Sequence, residues 1–93
     1  MTARRYRCHA ALCAGAVTAP ALVTIHPSGQ GEIIPYTAEI FGTTDYNGVI
    51  VMAPPGTELP TAISRDGIAG QLRALAIPPA SADTMIAHMI PLA

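Results

Sequence analysis

The sequence contains no lysine and no tryptophan, and charged residues make up only 12% of its 93 residues. Three of its five basic residues, Arg4, Arg5 and Arg7, lie within the first seven positions, while the rest of the chain carries two arginines against six acidic residues. A nucleic-acid-binding surface needs several cations placed to contact phosphates. We therefore exclude nucleic acid as a partner and interpret the N-terminal arginines as a solvated charge cluster.

Long hydrophobic runs are also missing, because no apolar segment reaches the ~20 residues that a membrane-spanning helix requires. The only candidate is interrupted by His9, Thr18, Pro20, Thr24 and His26. Residues 1–19 have some features of a secretory signal, since arginines precede a short apolar stretch with small residues, but His9 breaks that stretch. We predict a soluble cytoplasmic protein that does not enter a membrane, and secretion is the alternative.

Bulky nonpolar side chains are few, although hydrophobic residues make up 51% of the chain. Much of this fraction is alanine, which contributes little buried area per residue, and Phe41 is the single phenylalanine. A chain of this length forms one domain, residues 1–93, with a thin core. We expect additional burial to come from a protein partner or from self-association into a homo-oligomer.

The sequence up to residue 53 favours β-strands. Residues 21–26 are rich in β-branched side chains, and residues 32–41 alternate in polarity with Ile34 and Tyr36 on one face. The intervening Pro27 to Gly31 segment indicates a hairpin, and Pro35 places the second strand at a sheet edge because proline lacks an N–H donor. The remaining members of that predicted face are Ala38 and Ile40.

The dipeptide Asn47-Gly48 is the strongest local turn signal, because both residue types accept the positive φ of a type I′ turn. It predicts a second hairpin between residues 42–46 and 49–53. The run Val49 to Met52 is apolar on both faces, which indicates a strand inside the sheet. Residues 6–13 are also interpreted as a strand.

The C-terminal part changes to helical spacing. Ile68, Leu72 and Leu75 recur at i, i+4 and i+7, which predicts a helix that ends before Pro78-Pro79. The N-cap candidates are Ser64 and Asp66, and Ser81 is the predicted N-cap of a second helix that ends at Pro91. The predicted fold is α+β: a small, mainly antiparallel sheet of three or four strands with two C-terminal helices packed on one face.

The second predicted helix carries a candidate binding surface. Met85 and Met89 share one helical face with Ile86 and Ile90 beside them, and methionines adapt well to binding surfaces. Simple docking of this face on the sheet is the competing interpretation. The predicted edge strand with Tyr36 offers a second route, by strand addition. These five side chains are the predicted protein-binding residues.

Four side chains near the N-terminus, Cys8, His9, Cys13 and His26, have the chemistry of metal ligands. Cys8 and Cys13 are five residues apart, so a strand puts them on opposite faces and a helix separates them by about 140°. We therefore predict no metal and no cofactor, and we find no nucleophile and base at catalytic spacing. The leading hypothesis is a non-catalytic protein-binding or assembly module, such as a phage-encoded small inhibitor of a larger complex or an oligomeric accessory protein. The alternative is a small metal- or ligand-binding, enzyme-like domain that uses these four residues.

Overall fold

The computed structural model describes residues 2–37 and 42–93. The strands are β1 (Arg4–Cys8), β2 (Ala10–Cys13), β3 (Ala16–Thr18), β4 (Ala21–Ile25), β5 (Gly31–Pro35), β6 (Thr43–Asp45), β7 (Gly48–Ala53) and β8 (Ile86–Pro91). One helix, α1, spans Ile68–Arg73, and a single 3-10 turn spans Ala82–Thr84. The strands form two four-stranded sheets, with the order β5-β4-β1-β6 in sheet A and β3-β2-β7-β8 in sheet B.

The predicted α+β fold, with one mainly antiparallel sheet and two C-terminal helices on one face, is therefore wrong. The described part of the chain is mostly β, with two four-stranded sheets, one short helix and one 3-10 turn. Each sheet also contains one parallel pair, β1 with β6 in sheet A and β2 with β7 in sheet B. Such pairing between distant segments leaves little local signal in a sequence, because neither partner is joined by a tight turn.

One long hairpin contributes four strands, two to each sheet. β1 and β4 belong to sheet A, and β2 and β3 belong to sheet B. Cys13 pairs with Ala16 across the turn residues Ala14 and Gly15, which have φ values of 51° and 79°. Positive φ at both central residues is the requirement of a type I′ turn. Each arm of the hairpin passes from one sheet to the other, at His9 between β2 and β1 and at Ala19-Pro20 between β3 and β4.

The hairpin predicted at Asn47-Gly48 does not form. β6 and β7 do not pair with each other: β6 lies beside β1, while β7 lies between β2 and β8. Neither Asn47 nor Gly48 has a positive φ, so a type I′ turn is absent at this position. Instead, the chain passes at Tyr46 and Asn47 from sheet A to sheet B, and Gly48 pairs with Pro91 as the first residue of β7.

Strand β7 lies at the centre of the core, as its apolar run predicts. All six of its residues are buried, and successive side chains contact two different clusters. Val49 and Val51 face α1 and the segment before it, where Ile63 and Leu72 are buried. Ile50 faces sheet A and packs among Cys8, Ala11, Ala21 and Val23. The two sheets therefore pack face to face, and α1 covers the other side of sheet B.

Helix α1 confirms the first predicted helix, although it is shorter than the spacing suggested. Leu72 is fully buried, and Ile68 and Leu75 pack around the same cluster. The N-cap is Gly67, with φ 66°, rather than Ser64 or Asp66. Ser64 contributes differently, because its carbonyl oxygen accepts a hydrogen bond from the Gln71 side-chain amide at 3.0 Å.

The second predicted helix is wrong, because residues 86–91 form strand β8 on the edge of sheet B. Its pairing with β7 places Ile90 opposite Val49 and Ile86 opposite Ala53. In this register Ile86 and Ile90 share one face and Met89 lies on the other. Only the 3-10 turn Ala82–Thr84 is helical in character, and the predicted cap Ser81 makes no side-chain cap hydrogen bond to it.

The hairpin predicted from residues 21–26 and 32–41 is confirmed where it is described. β4 and β5 pair antiparallel, with Leu22 opposite Ile34 and Ala21 opposite Pro35. β5 lies at the edge of sheet A, as the proline requires. Ala38, Ile40 and Phe41 belong to the predicted second strand but lie outside the described residues.

Candidate functional site

A cleft of about 650 Å³ opens where three strand segments pass from one sheet to the other. The three crossings are His9, Ala19-Pro20 and Tyr46-Asn47. The lining residues are Arg7, Cys8, His9, Ala19, Pro20, Tyr36, Asp45, Tyr46 and Asn47. We refer to this feature as the corner cleft. Its lining is mixed, with polar and apolar residues.

Main-chain hydrogen bonds hold the crossings together. The His9 N–H donates to the Gly48 carbonyl at 3.0 Å, and the Tyr46 N–H donates to the Arg7 carbonyl at 2.8 Å. The third crossing is fixed by the Tyr36 N–H, which donates to the Pro20 carbonyl at 3.0 Å. The wall of the corner cleft is therefore built on main chain that is bonded to both sheets.

The guanidinium of Arg7 is held from two sides. Its Nε lies 3.2 Å from Asp45 Oδ1, and its Cζ lies 5.2 Å from the centroid of the Tyr36 ring. Both charged side chains are exposed, so the ion pair contributes at most about 1 kcal/mol to stability. Its main effect is to orient Arg7, whose two terminal Nη groups have no protein acceptor among the described hydrogen bonds.

The side-chain oxygen of Asn47 accepts hydrogen bonds from two side chains. This oxygen, Oδ1, lies 3.1 Å from His9 Nε2 and 3.5 Å from an Nη of Arg65. Arginine has donors only, so the atom that faces it must be the amide oxygen. Because this oxygen has no proton to donate, His9 Nε2 must carry the hydrogen, and Nδ1 is then the free nitrogen of a neutral ring.

Cys8 lies at the back of the cleft, and burial suppresses its reactivity. Burial raises the pKa of the Cys8 thiol to about 11, and hydrogen bonds with the backbone at Ala10 and Ile50 offset this only in part. The Cys8 Sγ donates to the Ala10 carbonyl at 3.3 Å. A thiol with this pKa is protonated at neutral pH and is a poor nucleophile. Burial, with a smaller contribution from Cys8, also raises the pKa of Tyr46.

The four candidate metal ligands from the sequence are not brought together. Cys8 is buried between the sheets, whereas Cys13 is exposed near the hairpin turn. His9 binds Asn47, and His26 Nε2 lies 3.2 Å from Glu32 Oε2 at the far end of the β4–β5 hairpin. Within residues 2–37 and 42–93, no three His, Cys, Asp or Glu side chains form a group that could hold a metal ion.

The predicted protein-binding residues lie at several separate places. Ile90 is 3% exposed and belongs to the core, while Met89 on the opposite face of β8 is 38% exposed. Ile86 is half-buried against Gly29, and Met85 lines a smaller cleft of about 380 Å³ with Cys13. Tyr36 lies in the corner cleft. These side chains do not form one surface, and their role in binding stays a prediction.

Sequence reasoning missed the polar residues that define the corner cleft. The sequence pattern assigns Arg7 to a solvated charge cluster and assigns no role to Asp45. Asn47 was noticed only for its turn propensity, and Arg65 carried no signal at all. No local pattern connects these positions, because the cleft depends on three crossings that are far apart along the chain.

Comparisons with protein-family models, with curated proteins and with solved structures found no match for this chain. Of the helical segments in the described ranges, none has the length and apolar character needed to cross a bilayer.

Proposed function

We propose that this protein is a non-catalytic binding and assembly module of the cytoplasm that associates with a second copy of itself. The classes that this proposal covers are small inhibitors of larger complexes and oligomeric accessory proteins, including those encoded by phages. The observation that carries the proposal is Ile34 on the outer face of sheet A, a large aliphatic side chain that is 50% exposed.

Strand pairing defines which residues share this outer face. Its members are Arg5, Arg7, Leu22, Thr24, Glu32, Ile34, Thr43 and Asp45. The opposite face carries Cys8, Ala21 and Val23, which pack against sheet B. Burial on this face is uneven: Leu22 is 3% exposed and the Thr43 hydroxyl is buried, whereas Ile34 and the charged side chains are exposed. Ile34 is a single exposed aliphatic side chain and not a contiguous apolar patch, so the proposed contact also depends on the charges around it.

The charges on the outer face favour pairing of identical copies. Arg5 lies on the inner strand β1 and Glu32 on the edge strand β5, while Arg7 and Asp45 on the same face already pair with each other within one copy. A two-fold arrangement places the same surface opposite itself. A modest sideways shift then brings the acidic edge of one copy over the basic centre of the other, which is electrostatically favourable.

The chemistry of the corner cleft supports the non-catalytic part of the proposal. The pKa of Cys8 is raised to about 11, so this thiol does not supply a thiolate nucleophile at neutral pH. His9 Nε2 is engaged with Asn47, and no second base lies within reach of it among the described hydrogen bonds. A metal centre made of Cys8, His9, Cys13 and His26 is not supported, because these residues contact different partners.

Sedimentation velocity over a range of protein concentrations tests self-association. Ile34→Arg places a charge on the edge strand β5 within the proposed contact, and we expect it to weaken dimerisation by at least about tenfold, since each copy loses burial of half an isoleucine. Because Ile34 is exposed, the variant should fold with little loss of stability. Ala80→Arg is the matched control, since Ala80 is also exposed and lies outside sheet A.

A charge exchange makes the test specific for the proposed orientation. Glu32→Arg alone should weaken association, and the double variant Glu32→Arg with Arg5→Glu should restore it. A wild-type protein that stays monomeric at every concentration would contradict self-association. Equal loss in Ile34→Arg and Ala80→Arg would contradict the assignment of the contact to sheet A.

A further inference from the structure

The corner cleft presents several hydrogen-bond donors that have no protein acceptor among the described hydrogen bonds, beside the acceptors Asp45 and the two phenol oxygens. The Asn47 oxygen already accepts from His9 and Arg65, so its NH₂ group is the part of the amide that remains available. Arg7 uses Nε for Asp45 and keeps both Nη groups. Tyr36 and Tyr46 add two phenol groups to the lining, and the raised pKa of Tyr46 keeps its hydroxyl protonated. We infer that the corner cleft binds an oxyanion, the carboxylate or phosphate group of a small ligand.

The charge balance of the site favours the same class of ligand. The charged lining residues Arg7 and Asp45 sum to zero, and Arg65, which does not line the cleft but lies 3.5 Å from the Asn47 oxygen, brings the local sum to one positive charge. His9 adds either a neutral ring or a second positive charge. In both states the field at the cleft is positive, so an anion is attracted and a cation is repelled.

The geometry of Arg7 suits a planar or tetrahedral oxyanion. Its guanidinium is fixed at Nε by Asp45 and along one face by Tyr36. The two Nη groups project from a fixed fork that matches two oxygens of one carboxylate or phosphate. Little side-chain entropy remains to be lost when such a ligand binds, which is the advantage of a preorganised site.

The free Nδ1 of a neutral His9 is a further acceptor that the cleft offers. It can accept a hydrogen from the OH of a monoprotonated phosphate, and a protonated ring would donate to a carboxylate or phosphate oxygen instead. An oxyanion therefore finds a complementary partner at His9 in either protonation state. A purely apolar ligand would leave all these groups without partners, at a cost for each buried one.

Titration of ¹⁵N-labelled protein with inorganic phosphate and, separately, with acetate tests the inference by NMR. We expect shifts at the Arg7 Nε–H, the Asn47 side-chain amide and the amide of His9, with a common dissociation constant. Arg65→Gln should weaken binding by about two- to fivefold, the usual effect of one exposed charge, and Asp45→Asn should strengthen it by a similar factor. Arg73→Gln, at the exposed end of α1, is the control and should leave the affinity unchanged.

The outcomes separate the two ligand sources and separate this inference from self-association. Saturable binding of phosphate alone points to a phosphate-bearing ligand, and binding of acetate points to a carboxylate. The Ile34→Arg variant is titrated in parallel, and binding by this monomer would show that the cleft acts independently of the sheet A contact. No saturable shift with either anion overturns the inference, and so does an equal loss of affinity in Arg73→Gln and Arg65→Gln.

Discussion

Gly48 should be one of the least replaceable residues in the chain, and Gly48→Ala tests the topology directly. A Cβ atom built at this position lies 2.5 Å from the ring of Tyr46 and 3.0 Å from Pro91 Cα, and still closer to the carbonyl oxygen of Ile90. Two of the three contacts are to the main chain of β8, which cannot rotate away as a side chain can. Overpacking of a core by one methyl group costs about 1–3 kcal/mol. Because backbone must move here, we expect a loss of about 3 kcal/mol.

The hairpin interpretation of Asn47-Gly48 predicts a smaller effect with a different cause. There Gly48 would be needed only for its positive φ, and alanine would cost about 1 kcal/mol. Urea unfolding followed by circular dichroism distinguishes the two, because a loss of 3 kcal/mol lowers the midpoint by about 2 M for a small domain. Gly70→Ala is the control of opposite sign: nothing lies within 4 Å of its Cβ, and α1 should gain up to about 1 kcal/mol. A cost of 1 kcal/mol or less for Gly48→Ala would refute the pairing of β7 with β8.

Two further predictions concern the hairpin turn and the buried thiol. Ala14 has a φ of 51°, which disfavours alanine by about 1–2 kcal/mol, so Ala14→Asn should raise the unfolding free energy by about 1 kcal/mol, and Ala14→Val should lower it, both measured by urea unfolding. Cys8 has a raised pKa in the folded protein, about 11 against 9.0, so stability is retained below pH 9 and lost as pH rises towards 11, because the unfolded thiol ionises first. The loss should reach about 2 kcal/mol and disappear in Cys8→Ala. In native protein at neutral pH a thiol reagent should modify Cys13 alone, and a second equivalent reacting with Cys8 before unfolding would contradict its burial.

The parts of the fold that the sequence predicts correctly are those with a strong local signal. β7 is an uninterrupted apolar run, and its burial on both faces follows from composition alone. The β4–β5 hairpin follows from β-branched residues around a segment with proline and glycine, and Pro35 correctly indicates an edge. Each of these features depends on one short, continuous segment of the chain, residues 48–53 for β7 and residues 21–35 for the hairpin.

The prediction of a second helix in place of strand β8 is wrong for a simple geometric reason. Ile86 and Ile90 are four residues apart, and a spacing of four returns to the same face in a helix and also in a strand. The two structures differ at the residue between them, because a strand places position 88 on the same face as the two isoleucines and a helix does not. In the structure, His88 Nε2 lies 3.1 Å from the Ala53 carbonyl of β7. β-branched isoleucine favours a strand as well. As a strand, this segment can also form main-chain hydrogen bonds with the free edge of β7, which a helix could not do.

The wrong prediction of a hairpin at Asn47-Gly48 has a different cause. Asn47-Gly48 has the best type I′ composition in the chain, yet the turn with two positive φ values forms at Ala14-Gly15. Turn propensity amounts to about 1 kcal/mol, whereas burial of β7 between β2 and β8 places several large side chains in the core. Packing therefore decides where the chain turns, and the composition of one dipeptide does not. The corner cleft also results from packing, because it is lined by the three places where the chain passes from one sheet to the other.

The crossing at His9 places the side chains of Cys8 and His9 in different environments. Cys8 and His9 are neighbours in the sequence, but alternation along β1 turns Cys8 into the space between the sheets, whereas His9 lies where the strand bends and faces Asn47. Burial raises the pKa of the thiol, and the imidazole donates a hydrogen bond to the side-chain oxygen of Asn47. What remains accessible is a set of donors from Arg7, Asn47 and two tyrosines, fixed on main chain that both sheets share. These fixed donors, beside a buried and protonated thiol, are the basis of our proposal that the cleft binds an anion.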